Sequence, residues 1–134
     1  MGTNYESKQN RLNVLNGKII GAAIQVHSAL GPGMLESAYE ACLISELEEQ
    51  NINVQSQIEL PVVYKDRTID VGYRIDLLVE SSIIVELKAV EKIRPIHVAQ
   101  VISYLKLSRL SLGLLLNFNV PHLKDGIRRI VNRF

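Results

Sequence analysis

The feature that most constrains this chain is Ile83-Ile84-Val85-Glu86-Leu87-Lys88, a strand-like run with two charges in it. A run this apolar belongs near the centre of a sheet, where an unpaired charge costs several kcal/mol, on the order of 3–5 when one partner is missing. Glu86 and Lys88 are two residues apart, so both point to the same face of the strand. The preceding run, Tyr73 to Val79, carries a similar lone carboxylate, Asp76. A hairpin pivoting on Ser81 places Asp76 opposite Glu86 on the same face. That parity needs an odd loop such as Glu80 to Ser82, or a bulge; a two-residue turn would separate the two carboxylates. Two readings follow. Lys88 neutralises one carboxylate as a structural pair and leaves the other repelled. Or a divalent cation joins both carboxylates with backbone oxygen and water, which suits octahedral Mg²⁺ or Mn²⁺.

The rest of the chain reads as a single domain over residues 14–134, behind a polar segment, residues 1–13, expected to be flexible. From Val14, Leu15, Ile19, Ile20, Ala23, Ile24 and Leu30 fall at helical spacing. Gly31-Pro32-Gly33 breaks that helix, and a second is expected from about Met34 to Gln50. Val54 to Tyr64 alternates at period two, with Pro61 marking an edge or a bend. Lys65-Asp66-Arg67 is a turn, and Thr68 to Val79 a strand region kinked near Gly72. Pro95 opens a helix to about Leu107. Ser111 to Phe118 reads as a buried strand parallel to its neighbour, because a helix precedes it. Leu123 to Phe134 reads as a short basic helix with Ile127, Ile130 and Val131 inward. The order α-α-β-β-β-α-β-α is an α/β sandwich: a central mixed sheet of four to five strands flanked by helices.

An apolar content of 47% with 22% charged residues argues against disorder. The single cysteine, Cys42, excludes an intramolecular disulfide and a cysteine zinc cluster, and suits a reducing cytoplasm. No stretch is long enough to span a bilayer, and the polar N-terminal residues lack the apolar segment of a secretory signal. A cytoplasmic protein with no membrane partner is therefore expected. The net charge of +1 hides an asymmetry. Residues 1–90 hold seven Lys/Arg against twelve Asp/Glu; residues 91–134 hold eight against two. The basic third is either a phosphate-facing surface or a set of solvated helix faces.

Further candidates sit on the helices. Gln100 and Tyr104 are four apart and share a face, as do Glu36 and Tyr39, one turn apart behind Gly33. Taken alone, Tyr104 reads as packed on the sheet and Glu36 as a first-turn acid favoured by the helix dipole. His27 and His97 are expected to cap or pack, with His97, one turn before Gln100, the better site candidate. Cys42 reads as core. No Ser-His-Asp context and no phosphate-cradling glycine loop is present.

The motif Gly33-x-x-Glu36-x-x-Tyr39 resembles the GxxExxY family of the PD-(D/E)XK nuclease-like superfamily. The likeness continues in order through Arg74-Ile75-Asp76-Leu77-Leu78-Val79, Val85-Glu86-Leu87-Lys88-Ala89, His97-x-x-Gln100-x-x-x-Tyr104-Leu105, Leu115-Leu116-Asn117-Phe118 and Gly126-Ile127-Arg128-Arg129. It covers roughly residues 15–131; the proline before the first acid of the superfamily's name is replaced by Ile75. The resemblance implies a restriction-endonuclease-like sandwich and a nuclease that hydrolyses phosphodiester bonds of nucleic acid, DNA first, by Mg²⁺-activated water, with Mn²⁺ substituting. It implies Asp76, Glu86 and Glu36 as metal ligands and catalytic groups, and Lys88 as the catalytic lysine. Gln100, Tyr104, Tyr39 and His97 are the expected substrate-binding residues. The alternative is a non-catalytic nucleic-acid-binding or protein-adaptor module on the same fold; a metal-dependent phosphatase is a third. The small size makes a homodimer or a partner protein a candidate for completing substrate choice. With seven aromatics and no tryptophan, contacts to backbone and shape are expected over base stacking.

Overall fold

The computed structural model describes residues 3–133. Helix α1 spans Thr3–Leu30 and α2 spans Glu36–Glu49. The strands are β1 Val54–Glu59, β2 Val62–Tyr64, β3 Arg67–Ile69, β4 Arg74–Val79, β5 Ile83–Lys88, β6 Leu112–Asn117 and β7 Ile127–Val131; helix α3, Pro95–Ser108, joins β5 to β6. Five strands form one sheet in the order β1-β4-β5-β6-β7. Only β5 and β6 are parallel, as the helix between them requires. The sheet is the mixed, helix-flanked α/β arrangement expected from the sequence.

Side-chain alternation divides the core into two layers. Leu77, Val79, Ile83, Val85 and Leu87 pack with Ile19, Ala23, Val26, Leu43 and Leu47 of α1 and α2. Ile84 and Leu115 pack with Val101, Tyr104 and Leu105 of α3. Each fully buried Leu or Ile contributes about 1.5–3 kcal/mol, so β5, with both faces covered, is firmly held in the sheet. Among the described residues no helix is long and apolar enough to cross a membrane.

Two expectations are corrected. The polar segment 1–13 was expected to be flexible; in the structure Thr3–Asn13 belong to α1. Leu12 is buried, and it lies two turns before Ile19 on the same stripe. The C-terminal helix is also absent. Leu123–Gly126 forms one 3₁₀ turn, and Ile127–Val131 pairs antiparallel with β6 as a fifth strand. A helix this short is marginal alone, whereas the free edge of β6 offers a ladder to a β-branched segment. Gly126 lets the turn pass: a Cβ there would stand 2.1 Å from the Asn117 carbonyl oxygen. Val131, expected inward, is exposed; Phe134 lies outside the described residues.

Pro61 ends the first strand region as a break between β1 and β2. Lys65 and Asp66, both at positive φ, make the tight turn of a separate β2–β3 ribbon. Gly72, at φ 78, returns the chain to β4.

Candidate active site

The β4–β5 hairpin fixes the geometry. Glu80 and Ser81 take positive φ, and the Ser82 amide donates to the Val79 carbonyl at 2.9 Å. Val79 pairs with Ile83, Leu78 with Ile84 and Leu77 with Val85, the register of a three-residue loop centred on Ser81. Asp76 and Glu86 therefore come opposite each other, and there the ladder stops. Carboxylates take the place of carbonyls: the Asp76 amide donates to Glu86 Oε2 at 2.6 Å, and the Leu87 amide donates to Asp76 Oδ2 at 2.9 Å. The strands part at this point.

The other side of β4 is interrupted at the same level. Ser56 pairs with Leu77 and Ile58 with Ile75, but Gln57, between them, is unpaired and sits at φ 53. Leu77 faces the α1/α2 layer, while Ile75, two residues away, faces the α3 layer. The alternation of faces thus reverses across Asp76. A left-handed non-glycine residue costs on the order of 1–3 kcal/mol, and such positions concentrate at functional sites.

Electrostatics sharpen the picture. Glu86 is 3% exposed, and its carboxyl is pushed up to about 8 by burial first and then by the Asp76 charge, against the pull of the Asp76 amide and Lys88. Burial also raises Asp76, opposed by the Leu87 amide, the Lys88 ammonium and the Gln57 amide. Two further acids approach from α2. The Gln57 side chain donates to Glu40 Oε1 at 2.9 Å, and Glu40 is raised by burial and by the charges of Asp76 and Glu36. Glu36 Oε2 accepts from the Ala89 amide at 3.4 Å, just beyond Lys88. Lys88 makes no ion pair; the one pair among the described residues is the exposed Arg74–Glu59 contact at 3.3 Å. The reading of Lys88 as a structural partner thus finds no contact to support it.

The donor set suits a hard divalent cation. Asp76 and Glu86 each give one oxygen to a backbone amide, the Gln57 amide also reaches Asp76, and no cation is in contact with either carboxylate. Among the described residues, however, no three His, Cys, Asp or Glu side chains are grouped so as to hold a metal ion, so Glu36 does not join Asp76 and Glu86 as the third ligand expected. A cation would sit on two carboxylates with water completing its shell, the arrangement Mg²⁺ prefers.

Across β5, a groove of about 690 Å³ is lined by Lys88, His97, Gln100, Tyr104 and Tyr73. Tyr104 is 5% exposed, and its phenol is raised by burial and by the charges of Glu86 and Asp76. Gln100 and Tyr104 thus share one groove with Lys88. His97 also lines the groove, but its Nδ1 accepts from the Arg94 amide at 3.0 Å and so caps α3. The buried Asn117 side chain clamps Val90, bonding both its amide and its carbonyl, and so holds the chain that follows Lys88.

Tyr39, expected to bind substrate, lies instead in the core. Its hydroxyl donates to the Gly31 carbonyl at 2.6 Å and accepts from the Met34 amide at 3.0 Å, and its ring stacks on Phe118 at 4.4 Å. It pins the Gly-Pro-Gly corner that aims α2. His27 packs likewise, its Nε2 bonding the Val120 carbonyl at 2.8 Å. Glu40 and Gln57 were missed. Glu40 is four residues after Glu36 and so shares its face, a signal that was present in the sequence. Gln57 carries none, because its place depends on pairing between β1 and β4.

A family model described as the PD-(D/E)XK nuclease superfamily matches residues 13–130. No curated protein and no solved structure matches the chain. That span contains the whole five-stranded sheet up to Ile130, together with the paired carboxylates and the lysine beside them, and the chain belongs to the PD-(D/E)XK nuclease superfamily.

Proposed function

We propose that the chain is a metal-dependent nuclease of the GxxExxY branch that hydrolyses phosphodiester bonds of nucleic acid, DNA first. The observation that carries this reading is the pair Asp76 and Glu86 facing each other where β4 and β5 part, with the unpaired Lys88 beside them. Asp76 and Glu86 would hold Mg²⁺ or Mn²⁺, with Glu40 and Glu36 reaching it through water. Bound there, the ion would supply Lewis acidity toward water and the phosphate oxygens. The chain's own groups do the rest. Lys88 orients the phosphate and stabilises the charge that grows on it as water adds to phosphorus and the leaving oxygen departs. Gln100 and Tyr104 hold the adjoining backbone, and the Tyr104 hydroxyl stays protonated next to two acids.

The test is cleavage of supercoiled plasmid, linear duplex, single-stranded DNA and RNA by wild type and Lys88→Ala in Mg²⁺, Mn²⁺ and EDTA. Metal-dependent cleavage, lowered in the variant by about 10²-fold or more, supports the reading, and the panel identifies the substrate. Folded wild type that cuts nothing in either metal refutes it in favour of a binding module.

A further inference from the structure

The basic residues of this chain do not gather at Lys88. Of the residues that line the catalytic groove only Lys88 and Lys106 are lysine or arginine, and Glu36, Glu40, Asp76 and Glu86 stand nearby. A polyanion approaching that end finds two lysines among four acidic side chains. The other end of β5, where Ser82 leads into the strand, is different. A second groove of about 740 Å³ lies there between α1 and the turns that precede β1, β5 and β6. Lys8, Arg11 and Lys18 of α1 line it, with Arg109 at the end of α3. All four are exposed, and none forms an ion pair among the described residues. The one acid in the lining, Glu80, is held by the Asn53 amide.

The spacing of the cations is regular. Lys8, Arg11 and Lys18 stand three and seven residues apart, so they form one row along α1, about 15 Å long. One strand of a duplex advances about 3.4 Å of axis per phosphate, so such a row runs beside about four phosphates. β5 spans six residues, so the Ser82 end of the strand, which lines the groove, lies about 20 Å from Lys88.

We propose that this groove is a second polyanion site, holding the phosphodiester backbone of nucleic acid away from the catalytic centre. It rests on the nuclease reading only for the identity of the polyanion. The site supplies the attraction that the acid-rich catalytic end lacks, so the chain recruits substrate at one pole and cuts at the other.

The experiment is fluorescence anisotropy of a fluorescein-labelled DNA duplex and single strand with the full chain in EDTA. It compares wild type, the triple variant Lys8→Ala/Arg11→Ala/Lys18→Ala, and Lys106→Ala. The triple replacement keeps exposed helix positions in a strong helix former, and circular dichroism checks its fold. The triple variant should bind about tenfold or more weakly and lose about 2–3 units of the slope of log affinity against log salt; Lys106→Ala should lose at most about one. A triple variant that binds with wild-type affinity and slope overturns the proposal. So does wild type that binds labelled poly-glutamate but neither nucleic acid, which would make the groove a protein-docking surface. So does wild type that binds none of the three probes. Cleavage is never read, so failure of the nuclease reading and failure of this site are separable.

Discussion

Glu86→Gln should make the metal-free protein more stable above neutral pH. The Glu86 carboxyl has a folded-state value of about 8 against 4.5 for an ordinary glutamate. A raised value means that the folded state holds the proton more tightly than the unfolded chain. The stability from that proton is therefore fully present below about pH 4.5 and is lost as pH rises through about 8. Each pH unit in that window removes up to about 1.4 kcal/mol, and the whole shift corresponds to about 3–5 kcal/mol. Small domains are stable by about 5–15 kcal/mol in all, so the effect is a large fraction of the total. Glutamine keeps the shape and the acceptor for the Asp76 amide but cannot ionise. Urea unfolding in EDTA at pH 5, 6, 7 and 8 reads the difference directly. With a slope of about 1–3 kcal/mol per molar urea, the wild-type midpoint should fall by about 1–3 M more than that of the variant. Mg²⁺ should restore wild type at pH 8, by about 2.7 kcal/mol at a hundred times its dissociation constant, and should not restore the variant. Parallel pH profiles for the two proteins would show that Glu86 is not the strained acid that the parted strands make of it.

Three other perturbations test the site and the frame that holds it. Tyr39→Phe removes the hydroxyl that bridges Gly31 and Met34; urea unfolding should show a loss of about 1–3 kcal/mol, with cleavage at saturating substrate little changed. Gly126→Ala drives a Cβ to 2.1 Å from a backbone oxygen, so β7 should detach, and hydrogen exchange should show β6 losing protection. Glu40→Gln removes one of the charges that raise Glu86; it should flatten the metal-free loss of stability with pH and weaken Mg²⁺ binding by titration calorimetry, whereas a bystander at position 40 would change neither.

The site was legible where its geometry is local. Asp76 and Glu86 are joined by a short hairpin, so side-chain parity and loop length set their register without any knowledge of the rest of the molecule. Glu86 and Lys88 share a strand, and Gln100 and Tyr104 share a helix face, so single periodicities place them. The parallel pairing of β5 and β6 followed from the helix between them. What the residues could not announce depends on distant segments meeting. Gln57 enters the site only because β1 pairs with β4 and breaks its alternation there. Tyr39 carries a polar group, yet the Gly-Pro-Gly corner folds back to receive that group inside the core. Ile127–Val131 shows helical spacing of its apolar residues, but the open edge of β6 decides in favour of a strand. The cations of α1 and Arg109 lie far apart in sequence, and only the packing of α1 across the sheet makes them one groove. Short-range periodicity fixed the carboxylate pair; edge pairing and burial, which are properties of the assembled sheet, decided what surrounds it.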